Sequence, residues 1–438
     1  CGLASVKIQE VESARPAHAR TALTLLFLAY ALSITDRMIL SVLFEPIRVE
    51  FGASDTQMGL LGGLSFALFY ATLGVPIARL ADQKDRRLII VLSLGLFSLM
   101  TAMSGLASGF VMLFLLRIGV GIGEAGVNPA SQSIIADYYP EQHRGTAMSI
   151  LAVGAPVGMI GGFLIGGTVS EAYGWRAAMF AVGIPGLALA ALMYFLLREP
   201  QRGGSGSSVV ANTVQPGIKN SAVFMFKNTA LRQLLIASTI TGMGSYGAST
   251  WLPAFFVRVH DFSQAQVGLL MALLFGGLGA VGTLVGGKLF DVQSNKGPAR
   301  GVWMIAIVQI SVIPLYIAAY QVNAISFAIG LFLLPAFAGN FFLGPTLALI
   351  QSLSPVPMRA VAAAIKMFCL NLVGLSLGPL IVGFLSDVLQ PEYQERSLPI
   401  ALSVLALLSI WSAVHFWLCG KALQRAQLNT ELTNERAA

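Results

Sequence analysis

Runs of about twenty nearly uninterrupted apolar residues recur along the whole chain, and each is long enough to cross a ~30 Å hydrocarbon layer. A backbone surrounded by lipid has no water to bond, so spans this continuous must be helical. Of the 438 residues, 56% are hydrophobic and only 11% charged, against roughly a quarter charged in a water-soluble domain. The chain reads as an all-α integral membrane protein. Spans are expected near 21–47, 54–81, 86–106, 109–138, 144–170 and 175–197. A second set is expected near 231–257, 264–290, 299–320, 324–352, 359–388 and 397–420.

The charges orient this array. Of 27 Lys and Arg residues, Arg37, Arg117 and Lys366 lie within spans and only Arg48, Arg176, Arg258 and Arg396 lie on one side of it. The other 20 collect on the opposite side, which the positive-inside rule makes cytoplasmic. The expected location is the inner membrane, multi-pass, with both termini in the cytoplasm. The net charge of +7 is explained by this bias and implies no nucleic-acid partner. The first 20 positions are interspersed with charged and polar residues and hold no long apolar run, so no cleavable signal is expected, and a start at Cys1 suggests truncation or an expression scar. Three cysteines at 1, 369 and 419 offer neither a disulfide framework nor metal-ligand spacing.

Composition divides the chain further. A cytoplasmic tail is expected over 1–20, a six-helix bundle over 21–197, a flexible Gly/Ser-rich linker over 198–230, a second six-helix bundle over 231–420, and a tail over 421–438. The halves resemble each other. Ser54, Gln57, Gly59, Leu64, Phe66 and Asp82 recur 209 positions later as Ser263, Gln266, Gly268, Leu273, Phe275 and Asp291. Gly158, Gly162 and Gly167 match Gly374, Gly378 and Gly383. Parallel repeats of six spans about an axis along the membrane normal are the plan of carriers whose halves rock about a midplane site. Gly154, Gly158, Gly162 and Gly166 lie four apart on one face, where small residues let two backbones approach. That ridge reads either as plain packing or as a face that tilts during rocking.

Ionisable residues deep in a span cost about 2.5–3.5 kcal/mol each on insertion scales and usually carry function. The first span holds Asp36 and Arg37, and the fourth holds Arg117 and Glu124. Helix neighbours point about 100° apart, so Asp36 and Arg37 each need a partner on another helix. By depth, Asp36 and Arg117 stand at comparable height, which leaves Arg117 three candidate partners: Asp36, Glu124 or an anionic substrate. Asp36 and Glu124 are the candidate proton-coupling carboxylates, with Arg37 and Arg117 as substrate-binding or charge-switching cations, because arginine stays charged while a desolvated carboxylate can take a proton. The alternative is a static buried ion pair. Lys366, inside the eleventh span, either meets an anionic head group or snorkels to the cytoplasmic surface. Glu45 and Arg48 are expected to be solvated at the outer end of the first span. Trp251, Phe255, Phe256, Phe341 and Phe342 read as core or as the wall of an amphiphile's path.

Several of these residues resemble a known group. Ala78-Arg79-Leu80-Ala81-Asp82-Gln83-Lys84-Asp85-Arg86-Arg87 resembles the loop signature of the major facilitator superfamily between the second and third helices. That resemblance implies the major facilitator fold of twelve transmembrane helices, its two six-helix bundles related by pseudo-two-fold symmetry. It also implies a gating role for Asp82, Arg86 and Arg87, through packing of the loop on the eleventh helix in the outward-facing state. Arg117 with Gly121 is similar to the fourth-helix signature tied to proton coupling. Asp36-Arg37 together with the Arg117–Ala125 stretch resembles the spinster-like branch, whose members are linked to export of sphingoid phosphates and lysophospholipids. Anion–cation symporters for sugar acids share a similar pattern.

The reading that follows is a proton-coupled secondary transporter for an amphiphilic organic anion, such as a lysophospholipid or a sphingoid phosphate, with a symporter for small organic or sugar acids as the alternative. It needs no cofactor beyond a proton gradient and is expected to act as a monomer in the bilayer. An enzyme is disfavoured: Gly374-Leu375-Ser376-Leu377-Gly378 matches a nucleophile-elbow pattern but lies mid-helix, far from any strand or histidine partner. A channel would need a ring of equivalent charges or carbonyls.

Overall fold

The protein, seen in a computed structural model, is described over residues 16–202 and 217–437, and every regular element among the described residues is a helix. Ten stretches are long and apolar enough to cross a membrane. The last of them, Val356–Asn429, contains two spans, because the helix breaks at Gln394–Arg396. A further helix, Thr229–His260, has 32 residues and the length of a span, though it is rich in Ser, Thr and Gly. Among the described residues the crossings therefore number twelve.

The matched polar residues at the span ends have a local cause. Ser54 accepts a hydrogen bond from the Gln57 backbone N–H while the Gln57 side chain accepts from Ser54 N–H, and Ser263 with Gln266 forms the same reciprocal pair. These capping boxes satisfy donors that the first helical turn leaves orphaned, and so start the second and eighth spans at equivalent points. The second span also breaks at Gly63, and the eighth turns π-helical over Ala272–Leu278.

Some boundaries differ from expectation. The segment joining the halves carries a helix at Ile218–Lys227, whose Ser221 and Met225 are buried. Apolar residues at helical spacing drive that helix against the second half, whereas most of the Gly/Ser run at 202–208 lies outside the described residues, as does 1–15 of the N-terminal tail. The helix of the twelfth span continues past 420 into the expected tail, since Ser397–Ala437 is one continuous helix. It carries no internal Gly-Pro break after Gly420, and its alternating Gln, Arg and Glu residues are good helix formers.

The four-residue glycine ridge is a packing seam. A Cβ on Gly158 would stand 2.2 Å from the Ala31 carbonyl oxygen, and one on Gly162 would stand 2.6 Å from that of Thr35. The fifth span thereby lies directly on the first, and the Thr35 hydroxyl donates to the Gly158 carbonyl at 3.0 Å. Gly158→Val is expected to cost about 1–3 kcal/mol by overpacking, read as a lower thermal midpoint in detergent. Gly330→Ala, where a Cβ meets open space, should leave the midpoint unchanged.

The cores show how the halves meet. At the end of the molecule away from the termini, one apolar core joins Ile39, Phe44, Met58 and Phe163 of the first half to Trp251, Val267 and Val382 of the second. Phe44 and Trp251 meet edge to face, their centroids 5.3 Å apart. Toward the end bearing the termini, the cores separate: one, around Leu26, Ile90 and Ile134, is built almost wholly from the first half, and another, around Leu234, Ile305 and Phe416, from the second. The protein is shut at the distal end. The candidate wall aromatics follow the same division, with Trp251, Phe255 and Phe256 in the shared core and Phe342 in the core of the second half.

Candidate functional site

The fourth span reaches the centre of the first half because its glycines let it. A Cβ on Gly121 would stand 2.6 Å from the Phe66 carbonyl oxygen, and one on Gly123 would stand 2.6 Å from the Phe97 backbone nitrogen. Held this closely to the second and third spans, the fourth span presents Arg117 and Glu124 to the first, where both meet partners. The structure brings together all four charges expected in the site.

They form two separate pairs. Arg117 Nη1 donates to Asp36 Oδ2 at 2.9 Å, and the Thr101 hydroxyl donates to the other Asp36 oxygen. Arg37 Nε donates to Glu124 Oε2 at 2.6 Å, and the Ser33 hydroxyl donates to the same oxygen at 2.7 Å. Adjacent residues on the first span thus serve two different partners on the fourth, as the 100° step requires. Arg117 bonds to Asp36 rather than to Glu124, which settles its partner in this conformation.

The pairs differ in access. The side chains of Asp36 and Glu124 are fully buried and that of Arg117 nearly so, while Arg37 is 16% exposed. Its guanidinium lies over the Tyr70 ring at 4.4 Å and the Phe66 ring at 4.7 Å, a cation–π arrangement that holds the charge in an apolar place. Arg37 and Arg117 both line a small cavity between the halves, faced by Tyr246, Ser249 and Thr250 of the seventh span. Among the described residues, Arg117 Nε and Glu124 Oε1 are buried without a hydrogen-bond partner. A buried polar atom left unpaired is costly, so each pair keeps capacity for a further ligand. Ser33, Thr101 and Tyr70 were not singled out from the sequence, and Phe66 stood out only as a repeat match. Their relation to the charges depends on helix packing, and no spacing rule exposes it.

The other candidates sit elsewhere. Arg86 is buried at the start of the third span, bonded to Asp137 at 2.5 Å and Glu199 at 2.6 Å. Arg87 donates to the Tyr194 carbonyl and lies over the Tyr194 ring. Both arginines are thus engaged within the first half and not on the eleventh span, while the side chain of Asp82 lies outside the described residues. Lys366 does not snorkel: it is 1% exposed, and its Nζ has no hydrogen-bond partner among the described residues.

The distal end holds a cluster the sequence reading missed. Arg258 donates to Glu45 at 2.6 Å and to both oxygens of Asp55 at 2.7 and 2.8 Å, tying the second half to the first. Arg48 donates to Glu45 at 2.7 Å. Glu45, 12% exposed, is therefore part of a shielded network rather than solvated, while its partner Arg48 stays 31% exposed. A signal was available: Arg48 and Arg258 are two of the four cations on the side that the charge bias disfavours. A third, Arg176, bonds at 2.6 Å to Glu50, as does Trp175. Hydrogen bonds from Arg176 and Trp175 hold the Glu50 carboxyl below its ordinary range.

These features have counterparts in known proteins. An MFS-type efflux pump of Mycolicibacterium smegmatis is 29% identical, with 96% of this chain and 97% of the relative covered. A probable L-galactonate transporter of Escherichia coli is 31% identical, with 64% of each chain covered. The crystal structure of a bacterial homologue of the human lysosomal transporter spinster, inward-facing and unoccupied, superimposes with a TM-score of 0.87 at 27% identity, with 94% of this chain and 98% of that one covered. The family model described as Major Facilitator Superfamily matches residues 26–379, a range that takes in the paired charges and most of both repeats. With twelve crossings, two repeated halves and a charged cavity between them, this transporter chain belongs to the Major Facilitator Superfamily.

Proposed function

We propose that the protein is a proton-coupled carrier that works by alternating access and moves an amphiphilic organic anion such as a lysophospholipid or a sphingoid phosphate. The observation that carries this reading is the pair of pairs: two buried carboxylates hold two guanidiniums, and both arginines line the cavity between the halves. Protonating Glu124 would release Arg37 from its charge partner, and protonating Asp36 would release Arg117. A released guanidinium then prefers an anionic head group, which it can bind with two donors. The similarity to an inward-facing spinster homologue and the closed distal core support a conformation open toward the termini, and the charge bias supports reading that side as the cytoplasmic face of an inner membrane. Phe66, Tyr70 and Tyr246 give an amphiphile's apolar part a surface beside the charges. Lys366 is the further cation that a head group could meet if the second half repacks.

A second reading, symport of a small organic or sugar acid, is supported by the 31% identity to a probable L-galactonate transporter, since a carboxylate suits Arg37 as well as a phosphate does. Uptake into proteoliposomes of lysophospholipids, sphingoid phosphates and sugar acids, each with and without a pH gradient, tests both. A gradient of one pH unit is worth about 1.4 kcal/mol, roughly tenfold accumulation per proton. Accumulation of one anion class that collapses with the gradient is the expected result. Uptake indifferent to the gradient would remove proton coupling, and uptake of sugar acids alone would select the second reading.

A further inference from the structure

The two repeats meet at the distal end through four equivalent close approaches. A Cβ on Gly383 would stand 2.2 Å from the Asp55 carbonyl oxygen, and one on Gly167 would stand 2.4 Å from that of Gln264. A Cβ on Gly59 would stand 2.6 Å from the Pro379 oxygen, and one on Gly268 would stand 2.4 Å from the Phe163 oxygen. Asp55 and Gln264, like Gly59 and Gly268, are 209 positions apart, and Gly167 with Gly383, like Phe163 with Pro379, are 216 apart. Each contact between the second and eleventh spans is thus repeated between the eighth and fifth.

A carboxylate completes each contact. Asp387, on the eleventh span, accepts from the backbone N–H groups of Asp55 at 2.9 Å and Thr56 at 2.7 Å, which open the second span. Glu171, on the fifth span, accepts from the backbone N–H of Ala265 at 2.7 Å, which opens the eighth. Glu171 and Asp387 again stand 216 apart, and Thr56 and Ala265 stand 209 apart. The first turn of a helix leaves its N–H groups unpaired and carries the positive end of the helix dipole, so a carboxylate there makes a charge-assisted bond. Each acceptor belongs to one half and each donor to the other.

We infer that Asp387 and Glu171 are twin latches that hold the distal gate shut, each by binding the exposed helix start of the opposite half. The inference rests on the alternating-access reading. Opening the distal end must separate the second span from the eleventh and the eighth from the fifth, which breaks both latches at once. Because the acceptors bind backbone N–H groups and the uncharged side chains of Ser54, Thr56 and Ser263, neither latch has a charge partner to exchange, and water satisfies both sides once the gate opens. The gate can therefore be firm without being locked. The latches are unequal: Asp387 takes two N–H groups in a part-buried setting, reinforced by the Ser386 hydroxyl bonded to Asp55 at 2.6 Å, whereas Glu171 takes one at an exposed site.

The test is a spin-label distance measurement across the distal end in lipid nanodiscs without substrate, in a background lacking the native cysteines. Labels go at Leu106→Cys and Asn323→Cys, exposed loop positions in opposite halves. Asp387→Asn and Glu171→Gln should each raise the population with long distances, by about fivefold for the loss of one charge-assisted bond, and the double variant by more than either. Glu392→Gln, at an exposed carboxylate of the same end, should change nothing. Glu171 is exposed, so its variant carries the test even if Asp387→Asn folds poorly. A double variant whose distances superimpose on those of the unaltered chain would overturn the latch. Failure of the carrier reading itself would show separately, as absent uptake by the unaltered chain in liposomes.

Discussion

Glu124→Gln, reconstituted into liposomes, is expected to exchange substrate across the membrane yet fail to accumulate it against a gradient. Glutamine reproduces the shape and the neutrality of the protonated acid, so the state in which Arg37 is free of a charge partner becomes permanent. Binding and rocking then continue, but no proton enters the cycle, and the roughly tenfold accumulation available per pH unit disappears. Asp36→Asn removes coupling in the same way at the other pair, with an added penalty. Asp36 is fully buried, and Arg117 would lose its charge partner, a situation that typically costs 3–5 kcal/mol. The Asn variant should therefore also melt lower, whereas Asp36→Asn combined with Arg117→Gln should regain stability without regaining accumulation. Full gradient-driven accumulation by both single variants would reduce the two pairs to static packing.

Arg258→Ala is expected to open the distal end. Arg258 is the cation of the second half that joins Glu45 and Asp55, and without it only Arg48, on the same half as both carboxylates, is left to balance them. Breaking a fully buried pair costs up to 3–5 kcal/mol, but the Arg258 side chain is 17% exposed, so screening reduces the loss to about 2 kcal/mol. That still changes the ratio of closed to open forms roughly thirtyfold. Ser249→Cys beside the central cavity should then become reactive toward a membrane-impermeant thiol reagent added on the distal side. Restoring charge balance by Asp55→Asn in the same chain, which leaves Arg48 paired with Glu45, should suppress that reactivity. If Ser249→Cys stays unreactive after Arg258→Ala, the distal cluster does not control the gate.

How much of this was legible in the residues varies by feature. The membrane class, the number of crossings and the twofold plan follow from span length and repeat offset, because a lipid environment leaves the backbone no choice but helix. The four central charges were also legible, since a charge in an apolar run is conspicuous whatever its partner. The ridge at Gly154–Gly166 announced a close approach but not its partner, and the structure decides for packing on the first span. The distal network escaped because Glu45, Asp55 and Asp387 lie near span ends, where a carboxylate is ordinarily solvated. Only the meeting of the two halves removes their water. The Ile218–Lys227 helix was missed for a similar reason: its neighbours are Gly, Ser and Pro, and it is held by contacts with the second half.

Alone, the sequence determined everything that depends on one helix and its solvent: where the chain crosses, which way the charge bias turns it, and which buried groups are too costly to be incidental. The tertiary structure decided which of those groups meet. Asp36 with Arg117 are 81 residues apart and Asp55 with Asp387 more than three hundred, and no local rule reaches across such distances. The physical reason is that burial and periodicity are properties of a segment, whereas a hydrogen bond between segments exists only after their backbones have been brought within a few ångströms, and here glycine contacts set that approach.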